Sequence, residues 1–149
     1  MPRILVLLLL CAACKRAPEY CNEDLSGVWV NSSDAKLAYR LRDQGGVVRG
    51  EFMERKPDGG LSAPEEPLLF ELHRTDTAVA GVMRTRDQLL SGRTCPVEYG
   101  ARISDCKPDS MQLVVETSAA IDQDCKRTRL PDGGEVPAEL REYRLDRLK

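Results

Sequence analysis

From residue 25 onward, apolar and polar residues alternate with a period of two, in short runs separated by turn-forming residues. That pattern marks strands with one buried face. Gly27 to Asn31 reads as the first strand. Leu37, Tyr39 and Leu41 then alternate with Lys36, Arg40 and Arg42, and Val48, Gly50 and Phe52 alternate with Arg49 and Glu51. Between those two runs, Asp43-Gln44-Gly45-Gly46 supplies turn chemistry, since glycine reaches positive φ without steric cost. A proline- and glycine-rich loop at 56–67 follows. Next come the sets Leu68, Phe70, Leu72; Val79, Gly81, Met83; Val97, Tyr99, Ala101, Ile103; and Met111, Leu113, Val115. A loop at 86–94, the turn Asp105 to Asp109 and a long polar segment, 119–137, separate the later runs. The last run, around Tyr143 and Leu145, is read as a strand in preference to a short helix over 138–148. About eight short strands in hairpin order predict an all-β domain, as a small up-and-down antiparallel barrel or a β-sandwich. Barrel closure leaves no exposed strand edge.

The N-terminus follows a different pattern. Arg3 precedes an unbroken aliphatic run from Ile4 to Leu10, and small residues then lead to Cys14. A charged start, an apolar stretch and a small-residue site are the parts of an export signal. Seven apolar residues cover only roughly 10 Å as a helix, against ~30 Å of hydrocarbon core. The block Leu10-Cys11-Ala12-Ala13-Cys14 resembles the bacterial lipobox, with Cys11 where leucine or valine is usual. The resemblance implies cleavage before Cys14 and acylation of that cysteine. The chain thus divides into a signal (1–13), a lipidated N-terminus with a short tether (14–24) and one β domain (25–149). Lys15 is not the aspartate that some bacteria use for inner-membrane retention, which favours the outer membrane of a bacterial envelope.

The cysteine count fits that reading. Of six cysteines, Cys11 leaves with the signal and Cys14 takes the lipid, so Cys21, Cys95, Cys106 and Cys125 remain for two disulfides. Four cysteines allow three pairings. The favoured one joins Cys95 to Cys106 across a hairpin end and Cys21 to Cys125. Wide spacing, the lack of a C-x-x-C pair and a single histidine, His73, argue against zinc.

Composition narrows the function. With Arg3 removed from 22 basic residues, 21 remain against 24 acidic ones, a formal net charge of −3. No basic stripe marks a nucleic-acid binder. Aromatic residues are 5 % of the chain, so the core rests on Val, Leu, Ile and Met, with disulfides adding to a modest core. His73 falls on the polar face of its strand with no nucleophile motif beside it. Acid pairs such as Glu65-Glu66 and Asp122/Asp124 lie in loops. No phosphate loop or dinucleotide fingerprint occurs. The domain is therefore read as non-enzymatic, with no cofactor and no metal.

Leu25-Ser26-Gly27-Val28-Trp29 holds the sole tryptophan at the head of the strand series. It resembles the lipocalin and avidin group of eight-stranded barrels, whose first strand opens with Gly-x-Trp. There the tryptophan packs across the barrel base against a basic residue of the last strand, a role the resemblance assigns here to Arg144 or Arg141. Gly27-Val28-Trp29-Val30-Asn31 also matches the avidin form of the motif, whose asparagine helps hold biotin. Avidin-type pockets are walled by several tryptophans, and this chain has one. A lipocalin-like barrel is expected to take a small apolar molecule or a lipid inside, here lined by Phe52, Met83, Tyr99 and Met111. The competing expectation is a protein-interaction module of the envelope that uses the loops 56–67 and 86–94, with Leu89-Leu90 as the contact.

Overall fold

The structure is a computed structural model that describes residues 21–65, 67–76, 78–117 and 121–149. Among the described residues there are nine strands: β1 (Gly27–Asn31), β2 (Asp34–Gln44), β3 (Val47–Arg55), β4 (Leu61–Ser62), β5 (Leu69–Arg74), β6 (Val79–Gln88), β7 (Thr94–Ser104), β8 (Ser110–Thr117) and β9 (Glu139–Arg147). Apart from the two-residue β4, which extends β3 into a hairpin above the wall, each strand pairs antiparallel with its sequence neighbours. β9 returns to pair with β1, through Trp29 opposite Arg147 and Asn31 opposite Leu145, and so closes an eight-stranded antiparallel barrel. No helix occurs among the described residues.

The period-two pattern appears directly as an inside and an outside. Leu41, Val48, Phe70, Leu72, Val79, Ile103, Leu113 and Leu145 point inward and are buried in one core. Gly45 and Gly46 make the β2–β3 turn with φ of 59° and 79°. Both central residues of that turn type need positive φ, which glycine adopts without strain. The last run is a strand.

Several expectations change. The second loop shrinks to 89–93, because β6 runs on to Gln88 and β7 starts at Thr94. The inward residues of that extension, Thr85 and Asp87, are polar, so hydrophobic alternation stops before the strand does. The segment read as a tether through residue 24 joins the domain at Cys21, which is buried. The favoured disulfide pairing is overturned: Cys21 bonds Cys106, with Cα atoms 5.0 Å apart, and Cys95 bonds Cys125, with Cα atoms 5.3 Å apart. Cys95 and Cys106 sit at opposite ends of β7. Eleven residues of extended chain span ~35 Å, several times what a disulfide can bridge. The lipid-carrying candidate Cys14 lies outside the described residues.

Candidate functional site

The two ends of the barrel are built differently. The turn 45–46, the connection between β5 and β6 and the turn 105–109 gather at one end, called the base. There the segment 21–26 crosses the opening and plugs it. Leu25 is fully buried, and its carbonyl accepts the indole N–H of Trp29 at 2.9 Å. The Arg147 guanidinium lies over the Trp29 ring, 4.4 Å from its centroid, and donates to the carbonyls of Ser26 (2.9 Å) and Asp24 (2.5 Å). One side chain thus supplies both a cation–π contact and the hydrogen bonds that hold the plug. Gly27 adopts φ 131° beside that guanidinium, a conformation that L side chains rarely take.

A second clamp acts from the opposite wall. Arg74 donates to the carbonyls of Cys21 and Glu23, the latter at 3.1 Å, and is ion-paired with Asp43. The Asp43 carboxylate also accepts the Leu25 amide at 3.1 Å, and the Asp43 amide donates to the Ser26 hydroxyl at 3.0 Å. This pair is largely buried, with side chains only 17 % and 10 % exposed, so it depends on those extra bonds to offset desolvation. Cys21–Cys106 ties the start of the plug to the β7–β8 turn. Asp24 accepts the Ser26 amide, which holds its carboxyl below the usual range.

The resemblance placed Arg144 or Arg141 against the tryptophan, and the structure places Arg147 there. Arg144 has outward parity on β9, is 72 % exposed and pairs with Asp146 at 3.4 Å. Arg141 shares the inward parity of Tyr143, Leu145 and Arg147. Six residues nevertheless carry it roughly 20 Å along the strand, to the opposite end of the barrel.

That opposite end, the mouth, is hollow. Just above the Leu41–Leu72–Ile103–Leu113–Leu145 layer the core leaves a void of only about 10 Å³, too small for more than one water. Higher up lies a cavity of about 450 Å³. Its apolar wall includes Leu68, Phe70, Met83 and Val115, and its polar groups are those of Tyr39, Tyr99, Tyr143, Thr85, Thr117, Asp87 and Arg141. That volume and mixed lining match ordinary small-molecule sites.

Of the residues named in advance, Met83 and Tyr99 line this cavity. Phe52 does not line it; it is half-buried and packs edge-on against Tyr39, with ring centroids 5.7 Å apart. Met111 is buried in the base layer, opposite Leu145, and is excluded from the cavity by the filled core. The polar members went unread because inward polar residues do not stand out in an alternating strand. The available signal was the loss of alternation over 84–88 and 139–142, where strands continue without an apolar face.

The tyrosines differ from one another. The Tyr99 hydroxyl donates to Asp87, and burial followed by that bond and the Asp87 charge pushes its pKa up to about 12. Tyr39 is 7 % exposed, and its hydroxyl has no hydrogen-bond partner among the described residues. Burial, with Tyr143 nearby, pushes its pKa up to about 12. Both phenols are neutral at pH 7.

Beside the mouth, against the start of β7, the segment 121–138 folds into two small bridged turns, Ile121 with Arg127 and Arg129 with Glu135. Cys95–Cys125 ties it to the start of β7, helped by Arg93 donating to the Gln123 carbonyl (2.6 Å) and Arg127 to that of Glu98 (2.8 Å). Asp122 is spent inside this loop, accepting the amides of Asp124 and Lys126 at 2.9 Å. His73 is exposed, 3.9 Å from Glu71 on the outer wall and remote from the cavity. No cluster of metal-ligating side chains occurs among the described residues. No family model, curated protein or solved structure matches this chain.

Proposed function

We propose that the chain is a lipid-anchored protein of the bacterial envelope whose barrel binds a small, partly apolar molecule in its open end, without catalysing a reaction. The observation that carries the binding reading is the cavity of about 450 Å³ standing above a filled floor. A barrel interior packed to the top would have favoured an interaction module instead. The plug is consistent with the lipocalin-like resemblance, since Trp29 and a basic residue of the last strand meet at the base.

The anchor rests on the lipobox-like block and on thiol parity. Cys21, Cys95, Cys106 and Cys125 are all consumed in disulfides, so once Cys11 departs with the signal Cys14 alone stands outside the pairing. Seven residues from Cys14 to Cys21 reach at most about 25 Å. In this reading the base faces the bilayer and the mouth points away from it, so the ligand arrives from the aqueous side. Cells fed a labelled fatty acid should label the wild-type protein and not Cys14→Ser. Label on both, or on neither, rejects the anchor.

Binding is tested by filling the cavity. Met83→Trp and Val115→Phe place bulk in the mouth and leave the base untouched. With far-UV circular dichroism unchanged, each should abolish the fluorescence rise of 1-N-phenylnaphthylamine seen with wild type. An undiminished rise in both variants rejects the cavity as the site. The interaction-module reading keeps one specific support: Leu90, at the tip of the 89–93 loop beside the mouth, is fully exposed at 109 %.

A further inference from the structure

We infer that the mouth selects an amphiphile with an anionic group, paired by Arg141, whose apolar portion lies on Phe70, Met83 and Val115. This rests on the reading of the mouth as a ligand site and assigns the class of ligand. Two charged side chains line the cavity, Asp87 and Arg141. Asp87 already accepts the Tyr99 hydroxyl, so its oxygens are partly committed to the protein. Arg141 has no hydrogen bond or ion pair among the described residues. Its neighbours across β8, Val115 and Glu139's partner Thr117, bring no carboxylate to it within the cavity lining.

The Asp87 carboxylate in the same cavity is engaged by the Tyr99 hydroxyl and forms no ion pair with Arg141, so the guanidinium keeps several donors open beside the neutral tyrosines and threonines. A cationic head is disfavoured there by the guanidinium. Deeper in, the unpartnered Tyr39 hydroxyl is a second sign that the cavity is built for a polar occupant. That hydroxyl has no partner among the described residues, and Tyr39 lines the cavity, where an occupant's polar group can pair with it. The filled layer beneath limits the apolar portion to a ring system or a short chain, since the cavity spans only the inward positions from Tyr39, Phe70 and Met83 up to Asp87, Thr117 and Arg141.

The test compares an anionic probe, 1-anilinonaphthalene-8-sulfonate, with the neutral 1-N-phenylnaphthylamine. Both are titrated onto the purified lipoprotein in nanodiscs, with Met83→Trp and Val115→Phe in the same discs as blanks for partitioning into lipid. Arg141→Gln should weaken the sulfonate about tenfold, the scale of one lost charge-assisted hydrogen bond, and move the neutral probe by less than about twofold. Arg141→Lys should restore most of the loss, and added salt should weaken the sulfonate alone. Equal weakening of both probes, or none, overturns the anionic assignment while leaving the cavity as the site. If neither probe distinguishes wild type from the two blanks, the inference falls together with the binding reading.

Discussion

The base and the mouth are made by the same eight strands, yet they are opposite in construction. At the base the plug is tied down within the chain: Arg147 and Arg74 hold five carbonyl or carboxylate acceptors between them, Trp29 donates to Leu25, and a disulfide fastens Cys21. At the mouth, polar groups of the same kinds face empty space: Tyr39 and Arg141 lack partners among the described residues, and Tyr99 reaches only the rim carboxylate of Asp87. A barrel of eight strands has room either to fill itself or to hold one small ligand. This chain does the first at one end and the second at the other. The difference teaches where stability and function reside: interactions completed within the chain stabilise the fold, and those left open are available to a ligand.

The two disulfides break the comparison most sharply. They close loops of 85 and 30 residues in sequence separation. Chain-entropy estimates are then roughly 4.5 kcal/mol for the base bond and roughly 3.5 kcal/mol for the mouth bond. Cys21→Ser/Cys106→Ser should therefore lower Tm more than Cys95→Ser/Cys125→Ser. The first also frees the plug, so its loss should appear as global unfolding. The second should appear chiefly as protease cleavage within 121–137. Equal Tm losses with no local cleavage would contradict the division into a structural base and an adaptable mouth.

Truncating a large side chain at each end gives the next contrast. Trp29→Ala removes a fully buried ring and the face on which Arg147 rests, and should cost ~3–5 kcal/mol in urea unfolding. Met83→Ala enlarges a cavity already open to solvent, so a cost under about 2 kcal/mol is expected. A larger loss at Met83 would mean that the mouth, too, is a core.

Alkaline pH sharpens the comparison within the mouth itself. Tyr39 and Tyr99 both ionise near 12 in the folded protein, against 10.0 ordinarily. Their neutral forms are favoured by folding, so their contribution is complete below pH 10 and is lost as pH climbs from 10 to 12. For the well-buried Tyr39 this amounts to on the order of 2 kcal/mol over that window, and the more solvent-screened Tyr99 contributes less. Tyr39→Phe and Tyr99→Phe should each flatten the alkaline fall of ΔG. At pH 7 the two variants should part: Tyr99→Phe leaves Asp87 without its donor and costs about 1 kcal/mol, while Tyr39→Phe removes an unpartnered hydroxyl and is nearly neutral. Identical effects at pH 7 would show that Tyr39 has a partner in the free protein.

How far the site was legible follows from the same contrast. Met83 and Tyr99 were readable because they lie at inward positions of alternating strands. Met111 and Phe52 share that alternation and were read alike, because parity tells which face a residue takes and not how high it stands in the barrel. Thr85, Asp87 and Arg141 were unreadable for the complementary reason: polar side chains that face inward at an open end look like loop residues.

By itself the sequence determined the alternation, and with it the β class, the strands, most inward and outward faces and the position of the lone tryptophan at the start of the barrel. Those are local properties, set by the two-residue pleat and by turn chemistry within a few residues. Tertiary structure alone decided what joins residues distant in the chain. Cys21 met Cys106 because the plug crosses the base beside the β7–β8 turn. Arg147 reached Trp29, and Arg144 did not, because strand closure set both the parity and the height of β9 against β1. The empty mouth above a filled base likewise depends on how eight strands stack their side chains at each level, which no single strand encodes.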